Sequence, residues 1–335
     1  MSYLCPIIIG ISGPKLNAKE IELFSKHIVF GFILFSRNIE SSEQLKDLVT
    51  DLKSLYNGKH TPLIFIDQEG GRVRRLKPPI ISRDYSPAKY FSDLYNPRAK
   101  DIAIDKVRAH YISIMNDLNS FGIDSPCAPV ADLHFEHTHD VIGDRSFGGD
   151  VDQVVDLCNA SIDAIVSTNG IPIIKHIPGH GRARSDSHLS LPIIDTNIKE
   201  LNRTDFDVFR KLVKNPNLDY AMTAHIVYTA LDIDNPITTS VDAIEYIRHS
   251  IGFKGKIISD DIGMLALHGG IGAKYFNSRN PINPVDPLVM QGKKCHFEFI
   301  QSLCNIASQS LNAGCDILCH CSGNIEEMQA ILTNI

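Results

Sequence analysis

The chain has 335 residues, of which 43% are hydrophobic, and its formal net charge is −6, with lysine and arginine scattered along it. This length and hydrophobic content allow a large core and exceed the roughly 250 residues of a closed α/β barrel, so we expect a single catalytic domain over residues 1–335. A negatively charged chain without a basic cluster is not expected to bind nucleic acid.

Short runs rich in Ile, Val, Leu and Phe alternate with longer amphipathic stretches, a pattern typical of parallel α/β proteins. The predicted strands cover residues 6–13, 28–35, 62–67, 123–130, 172–176, 220–225, 256–260 and 316–320. The predicted helices include residues 42–56, 99–121, 150–167, 197–214 and 297–313. Eight strands predict an α/β fold of the (β/α)8 TIM-barrel type. A doubly wound open sheet is the alternative, and it is disfavoured because no G-x-G-x-x-G motif follows the first strand.

The segment 269–294 is rich in Gly, Asn and Pro and lacks helical periodicity, which predicts a long inserted loop. It follows the seventh predicted strand, on the face where barrel enzymes carry their chemistry. We expect this insertion to form a lid, to contact a partner, or to be disordered.

The first residues carry neither a basic region nor a small-residue cleavage site, so no signal peptide is predicted. The longest apolar stretch, residues 28–35, is shorter than the roughly 20 residues that span a bilayer. Eight cysteines are spread irregularly through the chain, which favours reduced thiols over disulfides. We therefore expect a cytoplasmic protein without a membrane partner, and we take it to be a monomer.

Polar residues gather at the carboxyl ends of the predicted strands, which converge on one pocket in a barrel. These residues are Asp67, Glu69, Asp132, Lys175, His176, His225, Asp260 and Asp261. After the third strand, Asp67 is a candidate acceptor for sugar hydroxyls, whereas Glu69 is interpreted as an acceptor of backbone N–H groups within the turn. The arginines that follow, Arg72, Arg74 and Arg75, could pair with these acids or reach a ligand.

Histidines cluster after the fifth predicted strand, at positions 176, 180 and 188, which raises the alternative of a divalent-metal hydrolase. That reading is disfavoured because Pro178, Gly179 and Gly181 prevent the helix that would align the first two histidines. A second cluster, with Cys315, Cys319, His320 and Cys321, lacks paired C-x2-C spacing, and its cysteines are expected to be small buried hydrophobes. We therefore expect no metal and no cofactor.

Asp186 and His188 lie two residues apart in the same polar segment and can form an acid/base pair. The carboxylate would orient the imidazole, whose ordinary pKa of about 6.5 suits proton donation and later proton removal near neutral pH. An exposed polar loop without a function is the alternative.

The seventh predicted strand ends in Ser259, Asp260 and Asp261, a plausible platform for a nucleophile. Adjacent residues of an extended strand point to opposite faces, so at most one of the two acids faces the pocket. The pattern alone does not say which.

At these motifs the chain resembles the β-N-acetylhexosaminidases of glycoside hydrolase family 3, in particular the single-domain bacterial enzymes of peptidoglycan recycling. The motifs that carry the resemblance are residues 31–38, 67–73, 143–147, 175–181, 186–188, 259–261 and 313–316. The resemblance implies that Asp260 is the nucleophile of a covalent glycosyl-enzyme intermediate, with Asp261 as its structural neighbour. It also implies that His188 is the general acid/base and Asp186 its partner. The positions implied to hold the sugar's hydroxyl and acetamido groups are Asp67, Arg75, Arg145, Lys175 and His176.

The Asp-x-His segment implies a preference for N-acetylglucosamine, because relatives that cleave glucosides usually lack it. The resemblance further implies an aglycone of 1,6-anhydro-N-acetylmuramic acid, with or without its peptide, so the expected partner is a small carbohydrate or muropeptide. Arg182 and Arg184 could attract the carboxylates of such a ligand or could simply be solvated.

Three alternative functions stay open at this point. Phosphorolysis on the same site would produce a sugar 1-phosphate, because a neutral histidine repels phosphate less than a carboxylate does. A metal-dependent barrel amidohydrolase would be sensitive to chelators. A catalytically silent sugar-binding protein is disfavoured because all three proposed catalytic positions are occupied by suitable residues.

Overall fold

The computed structural model describes residues 3–136, 138–183, 191–269 and 288–335, the last range without the side chains of residues 288–294. Its strands are β1 (Leu4–Gly10), β2 (Ile28–Leu34), β3 (Leu63–Ile66), β4 (Gln68–Gly70), β5 (Val73–Arg74), β6 (Ile173–Ile177), β7 (Ile193–Ile194), β8 (Tyr220–Thr223), β9 (Val227–Tyr228), β10 (Lys256–Asp261) and β11 (Ile317–His320). Its α-helices are α1 (Ala18–Lys26), α2 (Ser42–Ser54), α3 (Ala88–Leu94), α4 (Asp101–Ser120), α5 (Val151–Ser167), α6 (Ile198–Leu201), α7 (Asp205–Leu212), α8 (Val241–Tyr246), α9 (Leu288–Ala313) and α10 (Ile325–Asn334).

The main sheet of the described residues has seven parallel strands in the order β3-β2-β1-β11-β10-β8-β6. The prediction of a closed eight-stranded barrel is therefore wrong: the regular sheet is open, with β3 and β6 as its edges. The two remaining ladders are short, an antiparallel pair β4-β5 and a parallel pair β7-β9.

The fourth predicted strand, residues 123–130, is the element that does not form. Pro126 and Pro129 have no backbone N–H to donate to a ladder, and Cys127 has a φ of 48°, outside the extended region. The segment instead follows the edges of β3 and β6 through isolated bridges, from Phe65 to Ser125 and from Val130 to Lys175. The apolar run therefore predicts a strand, but its prolines prevent regular pairing.

Two groups of buried side chains hold the sheet. The inner cluster fills one face of the main sheet and consists of Ile8, Ile33, Phe65, Cys127, Ile173, Met222, Ile258, Ile317 and Cys319. The outer core lies between the opposite face and the helices and is much larger. Seven of the eight predicted strands form within a few residues of their expected ends, because a two-sided apolar run is typical of a strand buried on both faces.

The helices agree with the sequence patterns apart from two regions. The predicted helix 197–214 is two helices, α6 and α7, separated by a turn at residues 202–204. The predicted insertion 269–294 is wrong in its last part, because residues 288–294 belong to α9, and its residues 270–287 lie outside the described part of the chain. Among the described residues, every helix is too short or too polar to cross a membrane.

Candidate active site

Charged side chains lie next to the inner cluster at the carboxyl ends of β3 and β6. Phe65 and Ile173 belong to the inner cluster, and Asp67 and Lys175 follow them by two residues each. Since side chains alternate between the faces of a strand with a period of two, Asp67 and Lys175 lie on this same inner face. Lys175 Nζ is 3.3 Å from Asp67 Oδ1, so the structure brings these two predicted sugar-binding residues together.

Asp67 is a paired carboxylate that keeps part of its surface open. Arg75 donates to its Oδ2 at 2.8 Å, and 20% of the Asp67 side chain is exposed. Burial works against its ionisation, but Lys175 and Arg75 outweigh burial and hold the pKa of Asp67 below its usual value. An ionised, oriented and reachable carboxylate can accept hydrogen bonds from sugar hydroxyls.

Glu69 is part of the same network, which corrects the interpretation of this residue as an acceptor within its turn. Arg145 donates to both carboxylate oxygens of Glu69 at 2.8 Å, and Lys175 Nζ lies 2.6 Å from Oε1. Despite the cost of burial, these two cations hold the pKa of Glu69 far below its usual range. Arg145 therefore contacts Glu69 in this structure, and Glu69 fixes both Arg145 and Lys175.

His176 pairs with the carboxylate of Asp132, a partner that the sequence analysis did not predict. Its Nδ1 lies 2.7 Å from Oδ2 of Asp132, which is fully buried, and the N–H groups of His176 and His180 both donate to Oδ1. Burial opposes the ionisation of Asp132, but contact with His176 lowers its pKa. The carboxylate thus binds the Nδ1 side of the imidazole and leaves Nε2 as the nitrogen that can meet a ligand. The pairing joins residues far apart in sequence, so no local spacing could have predicted it.

Two glycines allow the loops of this site to pack closely. Gly70 has a φ of 105°, and a Cβ there would lie 2.2 Å from the carbonyl oxygen of Ser86. At Gly181 a Cβ would lie 1.9 Å from the carbonyl oxygen of Leu133. A side chain at either position would displace backbone beside Glu69 or His180.

The end of β10 separates its two acids. Ile258 belongs to the inner cluster, whereas the Asp261 carboxylate contacts the backbone N–H groups of Gly263 and Cys321 and faces His320. His320 is buried on the helix side, against α10. Asp261 thus points away from the inner face, and the alternation of side chains assigns Asp260 to it. The choice that the pattern left open is decided by these contacts.

The proposed acid/base pair, Asp186 and His188, lies outside the described residues, as does Arg184. Arg182 is described and is already paired, with Asp205 at 2.7 Å and Glu200 at 2.8 Å. The expectation that Arg182 attracts a ligand carboxylate therefore has no support from its contacts.

The cysteine cluster around β11, His176 and His180 do not form a metal-binding constellation within the described residues, where no three His, Cys, Asp or Glu side chains are suitably grouped. Cys315 and Cys319 are buried, and the Sγ atoms of Cys319 and Cys321 are 3.6 Å apart.

Comparison with known proteins connects this geometry to a family. Residues 7–275 match the N-terminal domain of glycosyl hydrolase family 3. The chain is 34% identical over 318 residues to a β-hexosaminidase of Tolumonas auensis, a match covering 95% of this chain and 83% of that protein. It is 30% identical over 316 residues to a β-hexosaminidase of Haemophilus influenzae, a match covering 94% of this chain and 79% of that protein.

The fold is also similar to solved structures. A crystal structure of NagZ from Neisseria gonorrhoeae, in complex with N-trifluoroacetyl-D-glucosamine, superposes with a TM-score of 0.80 at 27% identity and covers 98% of this chain and 84% of that one. A family 3 β-N-acetylglucosaminidase from Paenibacillus shares the fold, with a TM-score of 0.81 at 24% identity over 98% of this chain and 56% of that one. The chain belongs to glycosyl hydrolase family 3 and is a glycoside hydrolase of the β-hexosaminidase type.

Proposed function

We propose that the chain is a retaining exo-β-N-acetylglucosaminidase that releases terminal N-acetylglucosamine from peptidoglycan-derived fragments ending in 1,6-anhydro-N-acetylmuramic acid. The observation that carries this proposal is the pairing of Asp67 with Arg75 and Lys175 on the inner face, at the carboxyl ends of the strands, where Asp260 also lies. Such paired charges offer a neutral sugar both acceptors and donors without leaving a charge unpaired.

The reaction has two steps. In the first, Asp260 attacks the anomeric carbon while His188 protonates the departing glycosidic oxygen, which gives a covalent glycosyl-aspartate. In the second, His188 removes a proton from the water that attacks this intermediate, so the sugar leaves with its original anomeric configuration. Asp186 orients His188 and stabilises its protonated form. These roles are supported by the family resemblance of the motifs.

The preference for an N-acetylated sugar is supported by the likeness to NagZ of Neisseria gonorrhoeae, whose complex contains N-trifluoroacetyl-D-glucosamine. The muramyl aglycone is supported by the resemblance to peptidoglycan-recycling enzymes. We further propose one catalytic domain, a monomer and a cytoplasmic location, which composition and cysteine usage favour.

The test compares hydrolysis of a chromogenic N-acetyl-β-glucosaminide with that of the matching β-glucoside, for the wild type and Asp260→Ala, in the presence of a chelator. We expect N-acetyl-selective turnover that the substitution reduces by about 10³-fold or more without lowering the melting temperature. Near-normal activity of folded Asp260→Ala protein would contradict the nucleophile assignment.

Two further readouts separate the alternative reactions. Product analysis in phosphate buffer detects sugar 1-phosphate if phosphate replaces water, and loss of activity with chelator indicates a metal-dependent reaction. The disaccharide N-acetylglucosaminyl-1,6-anhydro-N-acetylmuramic acid then tests the aglycone directly. Failure to cleave it alongside cleavage of the chromogenic substrate would overturn the muramyl part of the proposal alone.

A further inference from the structure

A buried histidine lies between two carboxylates on the helix side of the sheet, next to the end of β10 that carries Asp260. His320 is fully buried at the end of β11. Its Nε2 is 3.2 Å from Oε2 of Glu327 in α10, and its Nδ1 is 3.7 Å from Oδ1 of Asp261 in β10. The imidazole thus connects the sheet, on one side, to the first turn of α10 on the other.

This arrangement favours the protonated imidazole, because its positive charge lies between two carboxylates. The contact of Nε2 with Glu327 is the close one, whereas Nδ1 makes no hydrogen bond to any described residue and meets Asp261 through charge alone. Burial alone would favour the neutral form. Asp261 and Glu327 outweigh burial and raise the pKa of His320 to about 9. The Ser322 hydroxyl completes the group, with contacts of 2.6 Å to Glu327 Oε2 and 3.0 Å to His320 Nε2.

Few other charges compete at this point. Within the described residues, the other titratable groups around Asp261 and His320, besides Asp260, are Arg37 after β2, Cys319 on β11, Cys321 after it, His268 in the turn after β10, and His225 after β8. Burial lowers the pKa values of His268 and His225. The contact between the two thiols lowers the pKa of Cys319 and raises that of Cys321, and burial with the nearby carboxylates leaves both pKa values raised. These histidines and thiols are neutral near pH 7, so within the described part of the chain His320 and Arg37 are the cations around Asp261.

The position of Asp261 affects that of Asp260 through a hydrogen bond between them. Its Oδ1 accepts the N–H groups of Gly263 at 2.9 Å and Cys321 at 3.1 Å, which ties the end of β10 to β11. Its own N–H donates to Oδ1 of Asp260 at 2.8 Å. The Asp261 carbonyl is bound by Nε2 of the buried His225 at 3.0 Å. The orientation of the Asp260 carboxylate therefore depends on how Asp261 is held.

We propose that His320, held between Asp261 and Glu327, is a positioning residue that fixes Asp261 and, through it, the carboxylate of Asp260. This inference rests on the proposed role of Asp260 as the nucleophile. His320 also balances the charge of Asp261. Without it, two adjacent aspartates would repel each other and the nucleophile would ionise less readily.

The test is the pH profile of kcat/KM for His320→Asn, which removes the positive charge and keeps a polar side chain. With the Asp261 charge uncompensated, we expect the acid limb to move upward by about 0.5–1 pH unit. We also expect kcat at the optimum to fall about tenfold. A variant that melts close to the wild-type temperature and has an unchanged profile would overturn the proposal.

Glu327→Gln provides a second variant in case His320→Asn does not fold. It leaves His320 with one carboxylate, so the pKa of His320 falls, and an NMR titration of its imidazole should show deprotonation at a lower pH than in the wild type. A His320 titration identical to that of the wild type would contradict the contact on which the proposal rests.

Asp316→Asn is the matched control, since Asp316 joins the same two strands at their opposite ends, through the Ile257 N–H and Lys256 of β10. It should lower stability without moving either limb of the profile. Asp260→Ala, measured in parallel, separates the two proposals. If that variant keeps wild-type turnover, the nucleophile assignment fails; if it is inactive while His320→Asn behaves as the wild type, only the positioning role fails.

Discussion

The two ends of the main sheet both carry ion pairs, but the pairs are built differently. At the amino ends, Asp316 and Asp124 are each about one quarter exposed, and each also accepts a backbone N–H of a neighbouring strand, that of Ile257 at 2.8 Å and that of Ile64 at 2.7 Å. At the carboxyl ends, Lys175 and Glu69 are only 3% and 6% exposed. Within the described residues, the contacts of the Glu69 carboxylate are with the side-chain cations of Arg145 and Lys175.

This difference indicates two roles: the carboxylates at the amino ends join strands, whereas those at the carboxyl ends are suited to binding a ligand. A carboxylate that accepts a backbone N–H links two strands at small cost, because it stays partly hydrated. A buried network of side chains alone is expensive to desolvate and does little for strand pairing. Its retention at the carboxyl ends, where α/β enzymes bind their substrates, agrees with a role in function rather than in folding.

Of the effects that test this comparison of the two ends, the largest is expected on catalysis, from removing the partly exposed carboxylate of Asp67. Asp67→Ala should lower kcat/KM for an N-acetyl-β-glucosaminide by about 10²-fold, because it removes charged hydrogen bonds to the sugar. Initial-rate kinetics measure this loss. The matched control is Asp84→Ala, since Asp84 pairs with the nearby Arg74 but is 63% exposed. Equal effects of the two substitutions would contradict a role for Asp67 in binding.

The next effect is on stability. Glu69→Gln leaves Arg145 and Lys175 buried without their shared counter-charge, so the free energy of unfolding should fall by about 3 kcal/mol. Urea denaturation followed by circular dichroism measures the change. Asp144→Asn, which breaks the exposed pair with Arg72, should cost less than about 1 kcal/mol. The comparison fails if the two losses are similar.

The pH dependence of that loss gives a sharper check. The pKa of Glu69 is held far below its usual range, so its stabilising contribution is fully present above the unfolded pKa of about 4.3. It is lost as the pH falls below that value toward the folded pKa. The difference in unfolding free energy between the wild type and Glu69→Gln should thus be constant from about pH 5 to 8 and shrink below about pH 4. A difference that grows on acidification would refute the ionised state of Glu69.

The smallest effect is expected at the amino ends. Asp316→Asn weakens the contacts with Arg248 and with the exposed Lys256 but keeps an acceptor for the Ile257 N–H, so it should cost about 1 kcal/mol. Thermal melting detects this change, while kcat/KM should stay at the wild-type value. A marked fall in kcat/KM would mean that the two ends of the sheet are coupled.

Local sequence patterns predicted the structure correctly where a strand or helix is determined by its own residues. The apolar run at residues 28–35 forms β2, and the predicted helix 42–56 forms α2. They failed at residues 123–130, where hydrophobicity resembled a strand but two prolines removed donors. The sequence also predicted that Asp67, Lys175, His176 and Asp260 lie close together, because parallel strands place their carboxyl ends on one side of the sheet.

The sequence by itself determined the order of strands and helices, the family, and the end of the sheet at which polar residues meet, since each of these follows from short-range patterns. Only the tertiary structure decided that the regular sheet is open, that Glu69 belongs to the charged network, that Asp132 binds His176, and that Asp261 turns toward His320. Each of these depends on contacts between residues far apart in the chain. Whether a buried charge is stable depends on such partners, and no local pattern encodes them.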